Sequence, residues 1–145
     1  LTAAEIYNPT GSIAKRFLIA NVATIGNQVN LTLAASVRFT EDSPLKRLFF
    51  VAQPISYCVE KRANGTSDLT RYDNYGYRTA QPAPSIMASG VIMAQNIINN
   101  LLVEPAIVLT PSSLITNAIV HVEPRFSVNG ESFKYQHQVQ VINVP

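Results

Sequence analysis

The sequence predicts a mainly β domain of antiparallel sheets, and three observations carry that expectation. Val, Ile and Thr, which suit a pleated and half-buried surface, number 37, against 11 basic and 9 acidic side chains. Residues 118–128 and 133–141 each alternate apolar and polar positions, the period of a strand with one buried face. Between those runs stands Asn129-Gly130, a pair that tolerates the positive φ angles of a type I′ hairpin turn. The 145 residues suffice for one domain, taken as 1–145, and at 47% apolar they exclude a disordered segment. A chain of this size buries about 70% of its unfolded surface and needs no disulfide or metal to hold it.

The elements follow in order. Residues 13–21 and 29–39 read as strands joined by a bend at Gly26-Asn27. A meander of short strands comes next, at 48–53, 55–61, 69–72 and 75–79. Pro54 divides the first two, a polar loop from Ala63 to Asp68 joins the next pair, and Asp73-Asn74 turns before the last. Pro82 and Pro84 mark an irregular crossover. Residues 90–102 fit a short helix or a strand equally well, and 107–110 returns to strand. The terminal hairpin pairs Val122 with His137 and His121 with Gln138 if the Asn129-Gly130 turn sets its register. Pro124 donates no ladder hydrogen bond, so the first arm should be an edge or bulge there.

Few side chains converge on chemistry. The basic residues lie in scattered pairs, Lys15-Arg16, Lys46-Arg47 and Lys61-Arg62, which excludes the continuous stripe that a nucleic acid needs. With one cysteine and two histidines on opposite strand faces there is no zinc-ligand spacing, and no metal or cofactor is expected. Gly65, Gly76, Gly90 and Gly130 stand apart, so no loop gathers the amides that cradle phosphate. Glu41-Asp42 reads as a solvated turn, lacking the alternating oxygen donors of a calcium loop. No nucleophile elbow or triad spacing is present, and the reading is not an enzyme, with no catalytic residues. Cys58 is a buried apolar residue, a free thiol or half of an intermolecular bond, and its strand context favours the first.

The densest aromatic and cationic cluster is Arg71, Tyr72, Tyr75, Tyr77 and Arg78. Together with Lys46 and Arg47 these are the candidate contacts to a partner or ligand, by hot-spot packing or by stacking on a glycan. Alternate tyrosines filling a core face, with the arginines reaching past them to water, is the structural alternative.

Several phrases resemble a known family. The run from Val37 through Ser43-Pro44, Lys46-Arg47 and Val51 leads into Pro54-Ile55-Ser56-Tyr57-Cys58, then Leu69-Thr70-Arg71-Tyr72 and Tyr75-Gly76. The chain closes on Gln136-His137-Gln138-Val139-Gln140-Val141-Ile142-Asn143-Val144-Pro145, and Ile6-Tyr7-Asn8-Pro9 stands near its start. In this order they resemble the C-terminal portion of the MshO minor pilins of the mannose-sensitive haemagglutinin (MSHA) type IV pilus of Gram-negative bacteria.

The resemblance implies an α+β pilin-like globular head cut from a longer, membrane-anchored precursor. Its prepilin cleavage and methylation motif and apolar N-terminal helix would precede Leu1, in line with a chain that opens on Leu and not Met. It also implies a structural role in priming pilus assembly at the tip. The partners would be other minor pilins, the major pilin and, through the missing helix, the inner-membrane assembly platform. The implied location is the pilus at the cell surface, reached through the inner membrane and periplasm. An adhesin-like head that binds a glycan or surface ligand is the alternative. Family members often carry a second cysteine near the position of Pro105-Ala106, and without it the resemblance leaves Cys58 a free, mostly buried thiol.

Overall fold

The structure, a computed structural model, describes residues 3–7, 15–38, 48–112 and 117–141. Among the described residues it is mainly β and antiparallel, with a five-residue helix, α1 (Ala3–Tyr7), and a 3₁₀ turn at Pro84–Ile86. The chain divides into two compact units, one formed by Leu1–Gln53 with Gly76–Pro82 and the other by Pro54–Tyr75 with Ala83–Pro145.

The first unit holds a two-stranded ribbon, β1 (Ile19–Ile25) against β2 (Gln28–Leu33). Ile25 pairs with Gln28 across Gly26-Asn27, and Gly26 at φ 59° supplies the glycine-first geometry of a tight hairpin turn. The expected bend is therefore a true hairpin, with strands shorter than the runs that suggested them. Residues 13, 14 and 39, which those runs included, lie outside the described residues, as do Glu41 and Asp42.

The second unit carries both larger sheets. β3 (Ser56–Lys61), β4 (Ser67–Tyr72), β5 (Val91–Ile97), β8 (Arg125–Val128) and β9 (Glu131–Lys134) form a five-stranded sheet in that order. β10 (His137–Val141), β7 (Ala118–Val122) and β6 (Ile107–Thr110) form a three-stranded one. Residues 91–97, open between helix and strand in the sequence, are a strand because they pair with β4. Asn96 at φ 61° lies in the left-handed region, which a right-handed helix could not hold.

The terminal hairpin forms with the expected register: His137 faces Val122 and Gln138 faces His121. Asn129 at φ 53° and Gly130 at φ 82° both occupy the left-handed region that a type I′ turn requires. The same register runs on through Arg125 with Lys134 and Val128 with Glu131. Each arm nevertheless breaks once, at 123–124 and at 135–136, so one hairpin serves two sheets. Pro124 sits at the break, buried, and its carbonyl still accepts from Tyr135 N at 2.9 Å. β7 and β8 are both inner strands, so the edge expected at Pro124 is instead a corner where the arm changes sheets.

Two expected strands are absent. Residues 48–53 join no strand among the described residues, and Leu48, Phe49, Phe50 and Val51 all face solvent. Residues 75–79 are irregular because Asn74 at φ 58° and Gly76 at φ 70° turn the chain out of the ladder.

Candidate functional site

The tyrosine and arginine segment that dominates the sequence is split by the fold. Arg71, Tyr72 and Tyr75 belong to the second unit, Tyr77 and Arg78 to the first. Strand alternation puts Ser56, Cys58 and Glu60 of β3 on one face with Tyr72, Thr70 and Asp68 of β4. Tyr72 is buried on this face and its hydroxyl donates to Glu60 Oε1 at 2.6 Å, reaching along β3 past the Cys58–Thr70 pair. That hydrogen bond, more than burial, raises the phenol above its ordinary pKa, because ionising it would set two anions together.

Gly90 lies tight against the same ring. A Cβ there would stand 2.6 Å from Tyr72 Cε1 and would also overlap Thr70 Cγ2, so the close backbone approach requires glycine. Thr70 Oγ1 is buried beside it without a hydrogen-bond partner among the described residues. Cys58 is a half-buried free thiol, and burial, reinforced by the Glu60 charge, pushes its pKa up. A thiol held protonated is a poor nucleophile, which suits a packing role.

The remaining polar groups of the segment are engaged locally. Arg71 binds Asp73 at 2.7 Å, and the Tyr75 hydroxyl shares a hydrogen bond with Ser56 Oγ at 2.6 Å. At the far end of β3–β4, Arg62 Nε and Nη2 meet Asp68 Oδ2 at 2.8 and 2.6 Å. In the first unit the Arg16 guanidinium lies 3.6 Å from the centre of the Tyr77 ring, and Tyr7 tilts against that ring at 6.0 Å. Arg78 is exposed. Lys46 and Arg47 lie outside the described residues. Each tyrosine of the segment thus has an internal neighbour, and among the described residues no ring contact joins Tyr72 to Tyr75.

Histidine follows the same pattern. The His121 ring and the Thr110 hydroxyl approach to 3.2 Å, while His137 packs near the Tyr135 ring, on the opposite sheet face from His121. Among the described residues no three His, Cys, Asp or Glu side chains gather where a metal could bind. Among the described residues no helix is long and apolar enough to cross a membrane. No family model, curated protein or solved structure matches the chain.

Sequence reasoning missed the corner, where the best-developed polar network lies. Asn99 is buried; its amide donates to the carbonyls of Glu104 and Glu123, both at 3.1 Å, and its Oδ1 accepts from Arg125 N at 2.6 Å. One side chain thereby ties the 99–106 loop to the break in the hairpin. Around it Glu104 pairs with Arg125 at 3.0 Å, and Lys134 with Glu123 at 2.7 Å. Under the loop, Tyr57, Val59, Leu101, Pro105, Ala106 and Ile107 line an open groove of about 330 Å³. The only hint in the sequence was Asn99-Asn100 set between two aliphatic pairs, which signals a turn but not its partners.

The other distinctive surface is apolar. In the three-stranded sheet, register places Ile107, Leu109, Ala118, Val120, Val122, Val139 and Val141 on one face with His137 as the sole polar member. Leu109 is 61% exposed, Val139 44% and Val141 45%. In the ribbon, Val22, Val29, Leu31 and Leu33 share a face, and the first three are exposed. The buried apolar core among the described residues is small: Tyr72, Met87, Ile97 and Ala106.

Proposed function

We propose that the chain is the globular head of a minor pilin of an MSHA-type type IV pilus, a structural subunit that acts by packing against other chains. The observation that carries this reading is the uncovered apolar surface: sheet faces built of Val, Leu and Ile whose side chains stay open to solvent. Exposed contiguous apolar surface of this kind marks protein contacts. The antiparallel β architecture fits a pilin-like head, and the sequence phrases supply the family. In this proposal the partners are the other minor pilins and the major pilin, and the inner-membrane assembly platform is reached through an N-terminal helix ahead of this head. The setting is the pilus at the cell surface.

The arrangement of chemical groups supports contact more than catalysis. Cys58 is held protonated, and the Tyr72 hydroxyl is committed to Glu60. The glycan-binding alternative, expected of Arg71, Tyr72, Tyr75, Tyr77 and Arg78, draws less support than the apolar sheets, since Tyr72 is buried and the Arg16 guanidinium lies over the Tyr77 ring.

The test mixes the purified domain with the soluble heads of the other minor pilins of the same pilus. Association at micromolar concentrations, weakened by Leu109→Glu on the apolar face, is expected. Failure of every head to bind at high micromolar concentration would overturn the proposal.

A further inference from the structure

We propose that the β1–β2 ribbon is a membrane-docking finger that lies in the surface of a bilayer rich in anionic phospholipid. The proposal rests on the first unit alone and is independent of the pilus reading, which the three-stranded sheet carries.

The inference starts from where charge is missing. Residues 17–37 contain no Asp, Glu, Lys or Arg, although the chain carries 11 basic and 9 acidic side chains. Exposed strand edges in water are commonly blunted with charge. β1 and β2 pair only with each other among the described residues, and neither carries a charge. Their pairing sorts the side chains into two faces. Val22 with Leu31 and Thr24 with Val29 share one face with Ile19 and Leu33. Asn21 with Thr32, Ala23 with Asn30 and Ile25 with Gln28 share the other. One face is therefore aliphatic and the other is dominated by amides. Exposure rises toward the tip, from 40% at Leu31 to 62% at Val29 and 65% at Ile25.

Charge returns at the base. Ala34 N donates to Leu18 O at 2.8 Å, which closes the ribbon there. Lys15 and Arg16 stand just before that closure, and Arg38, exposed, stands just after it. The described residues of this unit hold four basic side chains, Lys15, Arg16, Arg38 and Arg78, against one acidic, Glu5, which pairs with Lys15 at 2.8 Å. The Arg16 guanidinium covers the Tyr77 ring, with Tyr7 tilted beside it.

This order of groups selects the occupant. Cations and tyrosines at one level, with uncharged aliphatic side chains beyond them, match the layers of a membrane surface. The cations meet headgroup phosphates, the rings take the boundary, and the aliphatic groups reach the acyl chains. A protein partner would give no reason to clear both faces of charge and collect it at the base. The open edges of the ribbon set the depth. Their outer N–H and C=O groups would go unbonded in hydrocarbon, whereas headgroups and water at the boundary satisfy them. The ribbon thus lies on its aliphatic face with its amides toward water, and it does not span. A small apolar face with few cations makes the binding weak and reversible.

Flotation of the chain with vesicles of phosphatidylglycerol and phosphatidylcholine, and with vesicles of phosphatidylcholine alone, is the experiment. The chain should float with the anionic vesicles, and roughly tenfold less with the neutral ones or at high salt. Val22→Asp with Val29→Asp should cut binding at least about tenfold, and Arg38→Glu several-fold. The chain has no tryptophan, so Val29→Trp on the aliphatic face should report insertion by a blue shift that Asn30→Trp on the amide face does not show. Failure to float with anionic vesicles, equal binding by the double-aspartate variant, or equal shifts at positions 29 and 30 would each overturn the proposal. So would self-association without lipid that the same variant abolishes, since a second copy would then cover the face. Circular dichroism checks that the variants fold. Binding to other pilin heads is measured without lipid, so loss of one reading leaves the other standing.

Discussion

The two halves of the terminal hairpin share one register and one covalent turn, yet they inhabit different surroundings. Beyond the corner, β8 and β9 stack Phe126 on Phe133 at 5.1 Å, near buried Ile97, which pairs with Phe126. Before it, β7 and β10 build an apolar face that no described segment fully covers. Hydrogen bonding is equally regular in both halves, so the ladder does not distinguish them. The neighbours do: β8 continues into the five-stranded sheet through Ile97, whereas β7 continues into β6, and Phe133 is as open to solvent as Val139 and Val141. Asn99 ties the 99–106 loop to the corner between the two halves.

Removing Asn99 should therefore produce the largest effect. Asn99→Ala strands the part-buried Arg125 N–H and takes a donor from two carbonyls, at a cost of about 2 kcal/mol. Urea denaturation would show it as a lower midpoint at unchanged slope. A cost under about 1 kcal/mol would mean that the loop is held by packing alone.

Charge at the corner contributes less and depends on pH. The hydrogen bond from Lys134 holds the Glu123 carboxyl below its ordinary 4.5, and the same contact raises Lys134 above its ordinary 10.5. A carboxyl whose pKa is lowered by folding stabilises above its unfolded pKa and loses that contribution as pH falls through its folded value. A lysine raised by folding contributes below its unfolded pKa and loses that as pH rises through its folded one. Stability should thus carry a plateau between these limits. Urea midpoints of Lys134→Met against pH should lie closest to the parent at the acidic and alkaline extremes. A difference that is constant across pH would sink this account.

The smallest effect should come from the uncovered face. Leu109→Ser exchanges an apolar side chain that is already 61% exposed, and the isolated chain should lose no more than about 0.5 kcal/mol. A larger loss would show that the face is covered in solution.

How much of this could be read from residues alone depends on the range over which each feature is decided. The Asn129-Gly130 turn acts locally and the pleat propagates it, so the pairing of His137 with Val122, some fifteen residues away, was legible. Strand identity at 91–97 was not, since only pairing with β4 separates it from a helix. Residues 48–53 are apolar enough for a strand, yet they join no strand among the described residues, which composition cannot reveal. Pro124 announced an interruption but not a change of sheet. The tyrosine segment looked like one patch because sequence neighbours were counted together, whereas the turn at Asn74 and Gly76 hands its members to two units. Asn99 draws on Glu104, Glu123 and Arg125, partners that no local pattern predicts.

The corner also orders events in time. The type I′ turn closes a loop of two residues, so the hairpin can zip within microseconds from a nucleus that needs nothing else. Joining it to the rest of the five-stranded sheet requires Ile97 to find Phe126, which closes a far longer loop. Folding should therefore wait on that single seam, with β7 through β10 already assembled as a preformed template.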